Sequence, residues 1–282
     1  MVLCDLRFPD GSPVPFCSRS ILRTELAALA ARGYGMTVGA ELEFHVYRDD
    51  QTPLSAEDIG APGRPGAASV GLPTTRGSQL LHEEGLDAMQ PLVDALYRGL
   101  TLLDLPLRSI ELEFGPSQLE LTMEAGDAAQ IADAIVLCRS AVRRICARLG
   151  YHATFMSRPQ GAEGASTGWH LHQSLYELET GRGAFVPDAE GTTLSLVGSA
   201  YLAGLLEHAP AASAFATPTV NGYKRYQPFS LAPDRIAWGI DNKGAMIRAV
   251  GGVGDPATRL ETRSGEPAAN PYLYMASQIL SG

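Results

Sequence analysis

The chain has 282 residues, 45% of them hydrophobic, which is enough for one large domain or two ordinary ones around a substantial core. Its 22 Lys and Arg against 31 Asp and Glu leave a formal charge of −9, which excludes nucleic acid and an anionic membrane surface as expected partners. Apolar runs stay short of the roughly twenty residues that span a bilayer, no basic-then-apolar leader opens the chain, and Cys4, Cys17, Cys138 and Cys146 have no CxxC spacing, so a reducing, cytoplasmic setting is expected.

In chain order, residues 18–33 carry apolar side chains at helical spacing behind a Ser cap, with Gly33 placed to stop the helix. Residues 36–48, "MTVGAELEFHVYR", alternate and read as a strand with Glu41 and Glu43 on one face. Residues 49–77 are dense in Gly, Pro, Ser and Asp, an excursion suited to shaping a substrate entrance. A helix is predicted over 83–103, two strands over 107–123 joined through "FGPSQ", and an amphipathic helix over 126–150, capped near Asp127 and stopped by Gly150. "YHATFM" and "WHLHQSLYEL" read as strands with a loop between them, and 194–209 as a helix. A Pro- and Tyr-rich stretch follows over 217–233, then short strands at 245–250 and 259–263 and a helix starting at 270. Strands cluster in hairpins between helices instead of alternating with them, which points to an α+β fold.

Carboxylates recur in pairs: Glu41 with Glu43, Glu111 with Glu113 and Glu120, and Glu261 within "RLETR". A single strand pair is ordinarily a solvated face. Repetition on several strands points instead to ligands for a hard cation such as Mg²⁺ or Mn²⁺. His170 and His172 in "GWHLHQSL" read either as satisfied strand residues or as ligands. Zinc fits less well, because no cysteine or third histidine stands at structural-zinc spacing. Arg225, Lys243, Arg248, Arg259 and Arg263 alternate with Gly, Asn and Tyr, as groups that clamp carboxylate or phosphate would. Carboxylates for metal beside arginines for anions describe a phosphoryl-transfer site, although neither GxxxxGK[ST] nor GxGxxG occurs.

The stretches "ELEF", "GPSQLEL", "ATFMSRP", "GWHLHQS", "NGYKRYQP", "RLETR" and "PAANPYL" occur in an order and spacing that resembles the glutamine synthetase catalytic domain. The resemblance implies a curved, mainly antiparallel sheet with flanking helices. It also implies ATP as co-substrate, two or three Mg²⁺ or Mn²⁺ ions, and glutamate whose γ-carboxylate is phosphorylated before an amine displaces phosphate. Position by position, Glu43, Glu113 and Glu120 resemble ligands of the ion on the glutamate side, and Glu41, His170 and Glu261 ligands of the ion bridging the ATP phosphates. His172, Ser174, Arg248 and Arg259 match nucleotide positions. Arg225, Arg263 and Lys243 match catalytic positions, and Ser166, Gly168, Glu120, Arg225, Leu231 and Arg263 match the substrate side.

Departures from the family pattern carry their own expectations. Leu231 stands where ammonia-using members have a glutamate that binds ammonium, so the resemblance leans to the branch that joins glutamate to a polyamine, ethanolamine or another alkylamine. Ammonia-dependent glutamine synthesis is the alternative, and a non-catalytic structural or regulatory role the second. Ala165 and Ser166 replace residues at the glutamate backbone, Trp169 is bulkier than its counterpart, and Lys243 replaces an arginine. Residues 1–17 are expected to be a linker remnant from a β-grasp domain, with the catalytic domain over 18–282 lacking its last helices and the full-length form a ring-shaped homo-oligomer.

Overall fold

The computed structural model describes residues 2–282 except 51, 52, 54, 57, 65, 67–70, 78, 160–164 and 229, so parts of the 49–77 excursion and of the loop before Trp169 lie outside the described residues. The first helix, α1 (Ser18–Ala31), is followed by β1 (Tyr34–Arg48), with Gly33 at φ +89° making the turn that a side chain would oppose. The residue capping α1 is Cys17, without a side-chain bond, and not the expected serine.

After β2 (Leu72–Pro73) come α2 (Glu83–Leu102), β3 (Leu107–Leu112), β4 (Gln118–Met123) and β5 (Gly126–Asp127). The helix expected from 126 starts two residues later, as α3 (Ala128–Arg148), because Gly126 and Asp127 pair with β1 while the Asp127 carboxylate accepts from the amides of Ala129 and Gln130. Next are β6 (Tyr151–Thr154), β7 (Trp169–Glu177), α4 (Leu196–Glu207), α5 (Ala209–Ala216) and α6 (Val220–Tyr223). The helix expected over 194–209 is α4 alone, and α5 directly after it was not expected. His208 ends the first, and Pro210 sits in the first turn of the second, where its missing N–H costs no bond. The chain closes with β8 (Trp238–Ile240), β9 (Ile247–Val250), β10 (Arg259–Gly265) and α7 (Pro271–Ser281).

Among the described residues ten strands form one sheet with the path β3-β4-β1-β7-β10-β9-β8, and only β8 and β9 run parallel. The long central β1 decides which face does what. Its even positions, Met36 through Val46, are at most 2% exposed and pack with α1, α2, α3 and α7 in the core. Its odd positions, including Glu41 and Glu43, project from the opposite face. The α+β architecture with a mainly antiparallel sheet is therefore as expected from the sequence. β8 was not, because three residues beside a Pro-rich stretch carry no usable alternation.

Candidate active site

Strand register builds the site as three rows across that second face. In the first, Glu111 of β3 lies opposite Glu120 of β4, which lies opposite Glu43 of β1, whose amide donates to the carbonyl of Gly168 at 3.1 Å. In the second, Thr122 faces Glu41, which faces His170 of β7. In the third, Gly39 faces His172, which faces Glu261 of β10, which faces Arg248 of β9. The face thus runs from carboxylates at one side, through two histidines, to arginines at the other.

A cleft of about 1050 Å³ lies over these rows. Every residue given a site role from the sequence lines it: Glu41, Glu43, Glu113, Glu120, Ser166, Gly168, His170, His172, Ser174, Arg225, Leu231, Lys243, Arg248, Arg259, Glu261 and Arg263, whereas Trp169 is fully buried against the Tyr274 ring and does not reach the cleft. Their side chains do not all share one cluster. Among the described residues two groups of three bring ligand atoms within 4.8 Å of one another, Glu41 with Glu120 and His170, and Glu41 with His172 and Glu261. The resemblance grouped Glu43, Glu113 and Glu120 together and put His172 at the nucleotide. Glu41 belongs to both of these compact groups and His172 to the second.

Burial and mutual repulsion govern the acidic side. Burial, then the charge of Glu43, pushes the Glu113 carboxyl up to about 7. Burial, then Glu41 and Glu43, pushes Glu120 up to about 9. Carboxyls held against their charged form in this way are what a divalent cation would neutralise, and an all-oxygen set with one histidine suits Mg²⁺ or Mn²⁺. Burial also opposes ionisation of Glu41, but hydrogen bonds with His170 and His172 outweigh it and hold this carboxyl well below its usual range. In Glu261 burial is likewise outweighed, by the fields of His170 and Arg263.

On the basic side, Arg248 donates to Glu261 Oε2 at 3.0 Å and Arg263 to Glu261 Oε1, so two guanidiniums grip one carboxylate. Arg248 also bonds Asp241. Arg225, 2% exposed, follows α6 and is anchored on the carbonyls of Gly265 at 2.6 Å and Ser264 at 3.0 Å. A Cβ on Gly168 would stand 2.8 Å from Arg225 Nη2 and 3.1 Å from His170 Nε2, so only glycine lets these groups approach. Lys243 is exposed at the cleft, and Leu231 is 72% exposed with φ +62°, a left-handed backbone that is costly for leucine. Leu81 is also left-handed at φ +52°, lines the same cleft and is 59% exposed.

Gln118 escaped the sequence reading. Its amide nitrogen donates to Glu43 Oε2 at 2.7 Å and to the Ser166 carbonyl at 3.1 Å, and its oxygen accepts from the Gly115 amide at 2.8 Å. The signal available was its place in "GPSQLE", where a glutamine reads simply as a turn residue.

Residues 15–282 match the glutamine synthetase catalytic domain. The chain is 47% identical over its whole length to a gamma-glutamylanilide synthase of Acinetobacter sp, covering 56% of that protein. It is 34% identical, again over its whole length, to a gamma-glutamylethanolamide synthetase of Streptomyces coelicolor, covering 57% of it. A crystal structure of a glutamine synthase homolog superposes with a TM-score of 0.79 at 26% identity, over 98% of this chain and 61% of that one. The chain spans a little over half the length of the relatives it matches, and it belongs to the glutamine synthetase family through that family's catalytic domain.

Proposed function

We propose that the protein is an ATP-dependent ligase that joins the γ-carboxylate of glutamate to an amine larger than ammonia. The observation that carries this is the graded face of the sheet, with cation ligands at one side and anion-binding arginines at the other, under one cleft. A carboxylate is a poor electrophile. Its oxygen first takes the γ-phosphoryl group, releasing ADP, and the amine nitrogen then attacks the acyl phosphate, losing a proton and expelling phosphate. Divalent ions, when bound, supply charge neutralisation for the phosphoryl oxygens. Glu41, Glu43, Glu113, Glu120, His170 and Glu261 are the residues proposed to hold them. Arg248 and Arg259 are the residues proposed for nucleotide phosphates, Arg225 and Arg263 those proposed for the glutamate carboxylates and transferring group, and Lys243 keeps a positive charge at the cleft without the guanidinium fork.

Leu231 and Leu81 give the cleft apolar lining where an ammonium site would need an acid. This supports an amine with a carbon body, in keeping with the anilide and ethanolamide named for two relatives. ADP release by the full-length protein, measured against ammonia, methylamine, ethanolamine, putrescine and aniline, tests the reading. Preference for a carbon-bearing amine is expected, and preference for ammonia would reduce the protein to a glutamine synthetase. Loss of Mg²⁺-dependent nucleotide binding altogether would favour the non-catalytic role. Among the described residues no helix is long and apolar enough to cross a membrane, and all four cysteines are free, both compatible with the cytoplasmic placement proposed here.

A further inference from the structure

Among the described residues four glutamates are buried, Glu43, Glu120, Glu261 and Glu266, and all but Glu266 line the cleft. Glu266, the residue after β10, is fully buried, where a carboxylate is costly unless donors surround it. Three do. Its Oε1 accepts from the Thr219 amide at 2.8 Å, and its Oε2 from the Thr219 hydroxyl at 2.8 Å and the Ser157 hydroxyl at 2.9 Å. One side chain thus fastens the end of β10 to the cap of α6 and to the stretch between β6 and β7.

These bonds continue to Arg225. Thr219 Oγ1, while donating to Glu266, accepts from the Gly222 amide at 2.9 Å, and the Gly222 carbonyl accepts from the Arg225 amide at 3.0 Å. At its other end the Arg225 guanidinium donates to the carbonyls of Ser264 and Gly265, the two residues before Glu266. Backbone and head of Arg225 are therefore held by two segments that Glu266 joins. Gly222 is fitted to this arrangement, because a Cβ there would overlap the Glu266 carboxylate. On the other branch the Ser157 carbonyl accepts from the Thr167 amide at 2.8 Å, next to the Gly168 that lies against Arg225 and His170.

We propose that Glu266 is a positioning residue for the acid substrate: through Thr219 and Gly222 it sets the place of Arg225, and through Ser157 that of Thr167 and Gly168, without itself reaching the cleft. The kinetic consequence rests on the ligase reading, which assigns Arg225 to the glutamate carboxylates, but the placement of Arg225 is a property of the protein without substrate.

The test uses the full-length protein with Thr219→Val, which keeps the shape and loses the hydroxyl, Thr219→Ser, which keeps the hydroxyl, and Glu266→Asp, which withdraws the carboxylate from its donors. KM for glutamate is expected to rise about tenfold or more in Thr219→Val and Glu266→Asp, with KM for ATP within about twofold of native, while Thr219→Ser stays close to native in both. Partial unfolding lowers the apparent kcat and leaves KM alone, so a merely structural role gives no such split. Proton exchange of the Arg225 guanidinium in nitrogen-15 arginine spectra reads the same placement without turnover, and exchange about tenfold faster than native is expected in Thr219→Val. An unchanged KM for glutamate in Thr219→Val, an equal rise in KM for ATP, a loss in Thr219→Ser as large as in Thr219→Val, or unchanged Arg225 exchange in Thr219→Val overturns the proposal. Should Glu266→Asp fail to fold, the two Thr219 variants decide. Failure of the ligase reading would appear instead as absent glutamate-dependent ADP release by the native protein with the exchange result intact.

Discussion

At the scale of single residues, the paired acids were legible because alternation on a strand puts Glu41 and Glu43 on one face, yet their division of labour was not. Glu41 is stabilised as a carboxylate by two histidines, whereas Glu120 faces Glu111 and Glu43 across neighbouring strands and is pushed up to about 9. That shift has a definite sign. Glu120 binds its proton in the folded, metal-free protein over the interval between the ordinary 4.5 and about 9, while the unfolded chain releases it. Stability of the metal-free protein therefore falls as pH rises across that interval, and saturating Mn²⁺ should abolish the fall, as thermal melts from pH 5 to 9 would read. Metal affinity should rise with pH over the same range, with protons released on binding. Gln118→Leu leaves Glu43 without a donor from the turn, and a loss of about 10- to 100-fold in Mn²⁺ affinity is expected by titration calorimetry. Leu231→Glu restores an acid at the cleft, and the ratio of kcat/KM for ammonia over the preferred amine should rise by about tenfold or more.

Among the elements, α1 to α4 were read from the sequence almost to their ends, since caps and stops such as Asp127 and Gly150 act through neighbouring residues, while α5 and α6 were not read at all. Asp127→Ala should cost about 1 kcal/mol in chemical denaturation and leave steady-state kinetics unchanged, because the cap lies at the helix start and not in the cleft. The strand junctions were less legible. Gly126 and Asp127 belong to a helix by their neighbours and to the sheet by their pairing with β1, and α5 follows α4 directly after His208, over residues where no helix was expected. Gly168, just before β7, shows the energetic side of such a junction. Gly168→Ala would force a methyl against Arg225 and His170, and a destabilisation of about 1–3 kcal/mol with loss of turnover is expected, read by denaturation and ADP release together.

For the whole molecule, one long strand with five partners organises everything else: its apolar face seats the helices, and its polar face gathers side chains from β3 to β9 under one cleft. The protein expressed from its complete reading frame is expected to form a ring-shaped homo-oligomer, and a monomer by mass photometry at micromolar concentration would overturn that expectation. The sequence by itself determined the fold class, the family and many of the residues along the cleft, because alternation, capping and ordered motifs are local patterns that survive without coordinates. Only the tertiary structure decided which of those residues meet. Register places Glu261 against both His172 and Arg248, and burial raises Glu120. Each of these depends on strands far apart in the chain coming together in the sheet, and such pairing leaves no trace in local sequence.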